Sequence, residues 1–291
     1  HVIIKSGKRV SVMELYTGEE IYRPFWEKDS ALLEVELGCS WHKCAFCDFT
    51  RDQFHIFSLQ EIEEKVKLLV PYAQGKMRLF LLGENPFVMN TQKLLSILEY
   101  VHLYLPWIEE VSMYARFDDI LRKSVQELQV LRKHGVCHLH IGLESGNEEV
   151  LLKMNKGVTA QQGKEACHML QIAGITYSFT AIPGLGGIEL SDVHARDTAE
   201  YINETNPARV WLMGLKVWEH TPLYEMCEKG EFHPLSLEER LQEVIKLVEN
   251  LENFQGIFAD TTVMNQYTVM GSFPKDKEQV LKLLRQCTTL N

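Results

Sequence analysis

The chain has 291 residues, of which 45% are hydrophobic and 24% charged, and it carries a formal net charge of −10. That composition supports one large globular domain or two small ones and excludes disorder and collagen-like repeats. The acidic balance disfavours bulk binding to a phosphate backbone, and no apolar run approaches the roughly 18–20 residues of a membrane span.

In chain order, HVIIKSGKRV has no long apolar stretch before a small-residue cleavage site, so no secretory signal is expected. Residues 1–30 read as an N-terminal extension that includes Tyr22-Arg23-Pro24. Strand-like runs follow at Ala31–Leu37, Met77–Gly83, Glu110–Ala115, Cys137–Leu143, Ile175–Ile182 and Arg209–Val217. Helical patterns lie between them. Several open with a capping box: Ser58 with Glu61, Ser124 with Glu127, Thr159 with Gln162, and Ser236 with Glu239. Gly135 and Gly174 each end a helix just before a strand. Strand-then-helix units in succession predict an α/β fold with a parallel sheet. Six of them over 31–252 suggest an open (β/α)6 partial TIM barrel, since eight would close it. Residues 253–291 read as a C-terminal extension. Its polar, aromatic stretch Phe254–Gly271 has the length to cap the barrel opening, or to form a surface loop with a strand-like middle.

Alternate residues of a strand face opposite sides. Leu139, Ile141 and Leu143 oppose His138, His140 and Glu144. Val111, Met113 and Ala115 oppose Ser112, Tyr114 and Arg116. Leu33, Val35 and Leu37 oppose Glu34 and Glu36. The apolar sides suit helices, so the polar sides face inward. A polar interior is costly unless it holds water or a ligand. The parity therefore predicts an open barrel whose lumen binds the ligand; edge strands with one wet face are the alternative.

Seven cysteines are an odd number, and three crowd into Cys39–Cys47. Cys137, Cys167, Cys227 and Cys287 stand singly. This is no disulfide framework; it fits a reducing cytoplasm and one metal-type cluster. The loop Gly38-Cys39-Ser40-Trp41-His42-Lys43-Cys44-Ala45-Phe46-Cys47 directly follows the first strand. Zinc would need a fourth ligand, such as His42. A [4Fe–4S] cluster on three cysteines leaves one iron open for chemistry. The C-terminal end of a barrel strand is where such barrels place active sites, which favours the cluster.

From Ala31 to Tyr224 the sequence resembles the radical S-adenosylmethionine (radical SAM) superfamily. The three-cysteine loop comes first, with the aromatic Phe46 before its last cysteine. Gly83-Glu84-Asn85 ends strand two, where the family has Gly-Gly-Glu. Gly142-Leu143-Glu144-Ser145-Gly146 ends strand four and looks like the Gly-x-Glu-Ser-Gly of the branch that includes anaerobic coproporphyrinogen oxidase and the Elongator catalytic subunit. Pro183-Gly184-Leu185-Gly186-Gly187 follows strand five, and Thr221-Pro222-Leu223-Tyr224 follows strand six. One departure stands out. Four residues separate Cys39 from Cys44 where the common family spacing is three.

The resemblance implies that Cys39, Cys44 and Cys47 bind three irons and that SAM chelates the fourth. An electron from a flavodoxin- or ferredoxin-like donor then splits SAM, and the 5′-deoxyadenosyl radical abstracts a substrate hydrogen. Glu84, beside Gly83 and Asn85, would accept from the SAM ammonium. Arg116 would pair with the SAM carboxylate or a substrate anion. Glu144 and Ser145 would meet the ribose, and Phe46 and Val217 complete the expected cofactor set.

A single cluster in a compact acidic chain points to a small-molecule substrate, with nucleic acid and membrane partners not expected. The layout resembles a group of short bacterial radical SAM proteins that includes the queuine lyases. That likeness implies C–N cleavage of a 7-deazaguanine base, queuine, to preQ1, in queuosine salvage. The alternatives are another oxidase or lyase of the coproporphyrinogen-oxidase branch, or an Elongator-like tRNA-modifying enzyme. Expected substrate contacts are Glu34, Glu36, Tyr114, His138, His140, Thr180, Lys216, Asp260, Asn265 and Tyr267. The two histidines share a face and can hydrogen-bond in the lumen, relay protons or ligate a metal. Lys216 can hold an anion or snorkel to the rim.

Overall fold

The computed structural model describes residues 15–17, 21–48, 53–261 and 267–287. The strands are β1 (Ala31–Glu34), β2 (Glu36–Leu37), β3 (His55–Ile56), β4 (Arg78–Leu82), β5 (Glu110–Ala115), β6 (Val136–Glu144), β7 (Thr176–Ala181), β8 (Arg209–Leu212), β9 (Ile257–Asp260) and β10 (Val269–Ser272). Eight of them form one sheet in the order β1-β4-β5-β6-β7-β8-β9-β10. Every neighbouring pair is parallel except β9 with β10. β1 and β10 are its two ends and do not pair. This is the partial, open βα-barrel that the strand–helix rhythm predicts.

The expected capping boxes form at Ser58, Ser124, Thr159 and Ser236. Each supplies a partner for orphan N–H groups at a helix start. Gly174 ends the helix Ala160–Ala173 in the left-handed conformation. The parity argument holds along the sheet. Leu79, Leu81, Val111, Met113, Leu139, Ile141, Phe179 and Val210 join the hydrophobic core under the helices. On the other side, Phe80 packs edge-on against Tyr114, and Tyr114 lies near His140. His138 stands beside His140 on that face and bonds Ser178. The lumen row is therefore aromatic and polar.

Three elements differ from expectation. The first strand is broken: β1 lies in the sheet, but β2 turns off to pair antiparallel with β3. The short ribbon thereby brackets the cysteine loop. The last expected strand stops at Leu212 rather than Val217. Residues beyond it leave the sheet, although Met213 still donates its N–H to Ala181 and Leu215 donates to Pro183. In the C-terminal segment, β9 adds a parallel strand beside β8 and β10 turns back along it.

The segment before β1 enters the lumen. Its 3₁₀ turn Phe25–Glu27 sets Trp26 edge-on to Trp211, 6.0 Å between centroids, and Arg209 over Trp26. Glu27 is fully buried and reaches His140 at 2.9 Å, Ser30 at 2.5 Å and Arg78 at 3.4 Å. Among the described residues no helix is long and apolar enough to cross a membrane.

Candidate active site

The site is built where β1, β4, β5 and β6 end. The cysteine loop emerges after β2 and is tied to the turn that follows the helix Glu148–Lys153. Ala45 N–H donates to Met154 O at 2.9 Å, and Trp41 Nε1 donates to Asn155 O at 2.8 Å. The Trp41 ring lies flush on Gly157, where an added Cβ would stand 2.3 Å from it. Leu223 N–H donates to Ala45 O on the far side of the loop. The hydrophobic cluster of Ala45, Val150, Met154, Leu185, Leu223 and Phe232 packs beneath, with Phe46 and Val217 against it.

Cys39, Cys44 and Cys47 form no disulfide and are half-buried. Burial pushes the Cys44 thiol up, while Lys156 and Arg116 pull it down. Both cations are buried. Arg116 donates from Nε to Asp118 at 2.9 Å and from a terminal nitrogen to Lys156 O at 2.8 Å, and its guanidinium stacks over Trp41. Lys156 Nζ pairs with Glu144 at 2.7 Å. Lys156 was not among the sequence candidates. A lysine before a glycine in a turn reads as a surface residue, and only the fold aims it inward.

At the end of β4, Asn85 is fully buried. Its amide donates to Ser40 Oγ at 2.8 Å and to Asp119 at 2.6 Å, so the turn is pinned to the cysteine loop. Its N–H donates to Glu36 at 3.0 Å. Glu36 Oε1 and Asn85 Oδ1 are buried with no hydrogen-bond partner. Burial, with the charge of Glu84 adding, raises the Glu36 carboxyl to about 9. Glu84 is half-buried on the same turn.

At the end of β6, Glu144 takes a left-handed conformation, φ 63°, and a register shift between Gly142 and Glu144 turns its carboxylate inward. Thr180 stands 3.5 Å from it. Ser145 departs from expectation. It is fully buried, bonded to His194 at 2.8 Å and to the N–H of Asn147, so its hydroxyl faces protein and not the lumen.

Several substrate candidates also move. Glu34 lies at the sheet edge, held by Lys65 and by Thr17. Lys216 is exposed, its ammonium 3.4 Å above the Trp218 ring, because β8 ends before reaching it. Asp260 pairs with Leu212 in register and shares parity with Phe258, which lies in the outer core. Its partner is the hydroxyl of Tyr267 at 2.8 Å, and Tyr267 packs against the same core. Both therefore belong to the helix side. Asn265 lies outside the described residues. His138, His140, Tyr114 and Thr180 remain together in the lumen, joined by Glu27, Trp26 and Trp211, which sequence reasoning missed. Among the described residues no His, Cys, Asp and Glu side chains converge as a single-ion cage. A cubane assigns each thiolate to a different iron, so its ligands need not meet at one point.

Three thiols outside any disulfide, with neighbouring buried cations, fit an iron–sulfur cluster. The buried acceptors beside them suit a donor group brought in with it. Fold and site together define a partial βα-barrel with a thiolate metal centre at its mouth. The model of the Radical SAM superfamily matches residues 35–199, more than half of the chain. The protein belongs to that family, whose members use a [4Fe–4S] cluster and SAM.

It is similar to the anaerobic magnesium-protoporphyrin IX monomethyl ester cyclase of Rubrivivax gelatinosus, 26% identical over 89% of this chain and 46% of the relative. It is also similar to a tRNA-2-methylthio-N(6)-dimethylallyladenosine synthase of Chlorobium phaeobacteroides, 28% identical over 57% of this chain and 38% of the relative. Among solved structures, the radical SAM methyltransferase TsrM from Kitasatospora setae, with cobalamin and a [4Fe–4S] cluster bound, superposes with a TM-score of 0.56. It shares 16% identity over 69% of this chain and 39% of that one. The chain thus spans less than half the length of these relatives. One relative acts in tRNA modification, so acidic net charge does not by itself set nucleic acid aside in this family. A lumen that takes in one nucleotide needs no basic face.

Proposed function

We propose that this radical SAM enzyme acts on a small molecule held in the lumen, and that the reaction is the cleavage of a C–N bond in queuine. The observation that carries the first part is the trio of half-buried thiols, none in a disulfide, beside Lys156 and Arg116, above a polar lumen. Cys39, Cys44 and Cys47 hold three irons. When bound and reduced by a flavodoxin- or ferredoxin-like donor, cluster and SAM supply a 5′-deoxyadenosyl radical.

The chain's residues bind and shield. Arg116 spends two of its five N–H donors on Asp118 and Lys156 O, leaving three for a carboxylate. Glu84 and the free Asn85 Oδ1 accept from an amine. Glu144, oriented by Lys156, accepts from ribose hydroxyls. The residues that line the lumen shield the radical from water and other quenchers.

In queuine the hydrogen leaves the cyclopentene ring, and the adjacent C–N bond breaks homolytically. The ring gains a double bond, and the nitrogen takes one electron from the donor and one proton to become the primary amine of preQ1. The support for this substrate is its resemblance to the lyase group and the acceptor-rich lumen. Anaerobic incubation of reconstituted protein with SAM, reductant and queuine should yield 5′-deoxyadenosine and preQ1. SAM cleavage unaffected by queuine would reject the substrate, and a chain that never takes up iron would reject the whole reading.

A further inference from the structure

We infer that Glu36 is a positioning residue for the SAM amino group: it acts as a hydrogen-bonding clamp, and not as a charge, on the turn that presents Glu84 and Asn85. The inference deepens the proposed function by adding a residue to its cofactor site, and it rests on the reading of that turn as the place of the SAM amine.

The break in the first strand is what places Glu36. Val35 still donates its N–H to Leu82 O at the end of β4, but β2 then leaves the sheet and pairs Glu36 with Ile56 of β3. The Glu36 side chain is thereby laid against the turn that follows β4, where it is fully buried. Its Oε2 occupies the space beside Gly83, so a Cβ at that position would run into it. The N–H of Asn85 reaches the same oxygen at 3.0 Å, and Glu84 adds a backbone hydrogen bond to the carboxyl. Two successive N–H groups thus converge on one side chain. An apolar residue at position 36 would leave both of them buried and unpaired, and the turn would move to find other partners.

What the clamp holds in place is an acceptor kept for a ligand. Asn85 stands just before the 3₁₀ turn Pro86–Val88, where an asparagine side chain commonly caps the turn, yet it makes no cap bond. Its amide instead donates to Ser40 Oγ and to Asp119, which spends both N–H groups. Oδ1 is left buried with no hydrogen-bond partner. A buried acceptor is costly to leave unmade, so a turn that fixes one in this way is built for a donor that comes from outside. The clamp itself works uncharged. Burial, with the charges of Glu84 and Asp119 adding, outweighs the backbone hydrogen bonds and keeps the Glu36 carboxyl protonated up to about 9. Glu84 then meets the ammonium as the charged partner, and Glu36 supplies geometry. Glutamine reproduces the shape, the acceptor and the neutrality of this clamp; methionine reproduces only the volume.

The test is calorimetric titration of anaerobically reconstituted protein with SAM, without reductant. Glu36→Gln should bind SAM within about twofold of wild type, and Glu36→Ala about tenfold more weakly, each with the wild-type iron content. Glu36→Met should match Glu36→Ala, and it carries the test alone if the smaller side chain fails to fold. After reduction, SAM at the wild-type Kd should change the electron paramagnetic resonance signal of the cluster in wild type and Glu36→Gln, and leave that of Glu36→Met nearly unchanged. Undiminished SAM affinity in Glu36→Met, a Glu36→Gln variant as weak as Glu36→Met, or a loss of affinity matched by a loss of iron would each overturn the inference and leave the SAM site standing. Wild-type protein that holds its iron but binds no SAM would reject the reading of the turn, and the inference with it.

Discussion

Lys156 and Glu144 show how a residue pair is decided by the fold. Both are buried and joined at 2.7 Å. Removing one partner of a buried pair strands the other charge, at about 3–5 kcal/mol, whereas replacing both is far milder. Lys156→Met should therefore lower the urea midpoint strongly, and adding Glu144→Gln should restore most of it; simple additivity in a double-mutant cycle would refute the coupling. The lumen histidines set a second expectation. Burial keeps His138 and His140 neutral in the folded chain, so only the unfolded chain takes up their protons as pH falls below 6.5. Burial pushes Glu27 up, but the hydrogen bonds from His140 and Ser30 and the charge of Arg78 outweigh it and hold the carboxyl at about 2 against 4.5 unfolded. The contribution of these three groups should thus be full above pH 6.5 and decline steadily toward 2, while Glu36, held protonated up to about 9 in the folded chain, works the opposite way between 4.5 and 9. Urea midpoints against pH should show this, and His138→Phe should flatten the part between 6.5 and 5 while leaving the part below 4.5. The cysteines and histidines were legible in the sequence because residue type and parity suffice for them. Glu27 was not, since nothing in Phe-Trp-Glu signals that a leader turns back into the barrel.

At the scale of elements, strands with clean alternation were readable, and those without it were not. Glu110–Ala115 forms as expected, whereas Arg209–Val217 stops at Leu212, and beyond it only the isolated N–H bonds of Met213 and Leu215 reach back to Ala181 and Pro183. Ile257–Asp260 reads from sequence as part of a cap over the opening or of a surface loop with a strand-like middle, because its short run sits among polar residues; it instead extends the sheet beside β8, with Asp260 on the same side as the core residue Phe258. The cysteine loop owes its position to the turn after the helix Glu148–Lys153, and Gly157 is the contact where this can be tested. Its φ is 80°, and a methyl would meet the Trp41 ring. Gly174 is also left-handed, φ 73°, but a methyl there meets nothing within 4 Å. Both changes to Ala cost roughly 1–2 kcal/mol of backbone strain. Only Gly157→Ala should also displace the loop. Iron bound per chain after reconstitution should fall several-fold for Gly157→Ala and stay unchanged for Gly174→Ala.

For the whole molecule, the decisive question is whether the lumen receives a free base or one carried on RNA. Net charge speaks to it only in part. A chain at −10 has no general attraction for a polyanion, and a phosphate-contacting surface reveals itself by affinity that falls steeply with salt. The lumen adds a geometric argument. Trp26 and Glu27 occupy it toward the N-terminal ends of the strands, which leaves, among the described residues, the mouth beside the cysteine loop for a ligand to enter. The rim there carries exposed Lys43 and Lys216, each already stacked on a tryptophan. Among the described residues, two such cations are few for a nucleic-acid grip, which commonly uses about 6–10 phosphate contacts. The free-base reading therefore predicts no shifted complex with bulk tRNA at 150 mM salt and no steep salt dependence below it. It also predicts turnover of the free base that excess tRNA does not inhibit. A complex that tightens by about three orders of magnitude between 200 and 50 mM salt would instead make RNA the carrier of the substrate, and competition by tRNA in the turnover assay would say the same from the side of the chemistry.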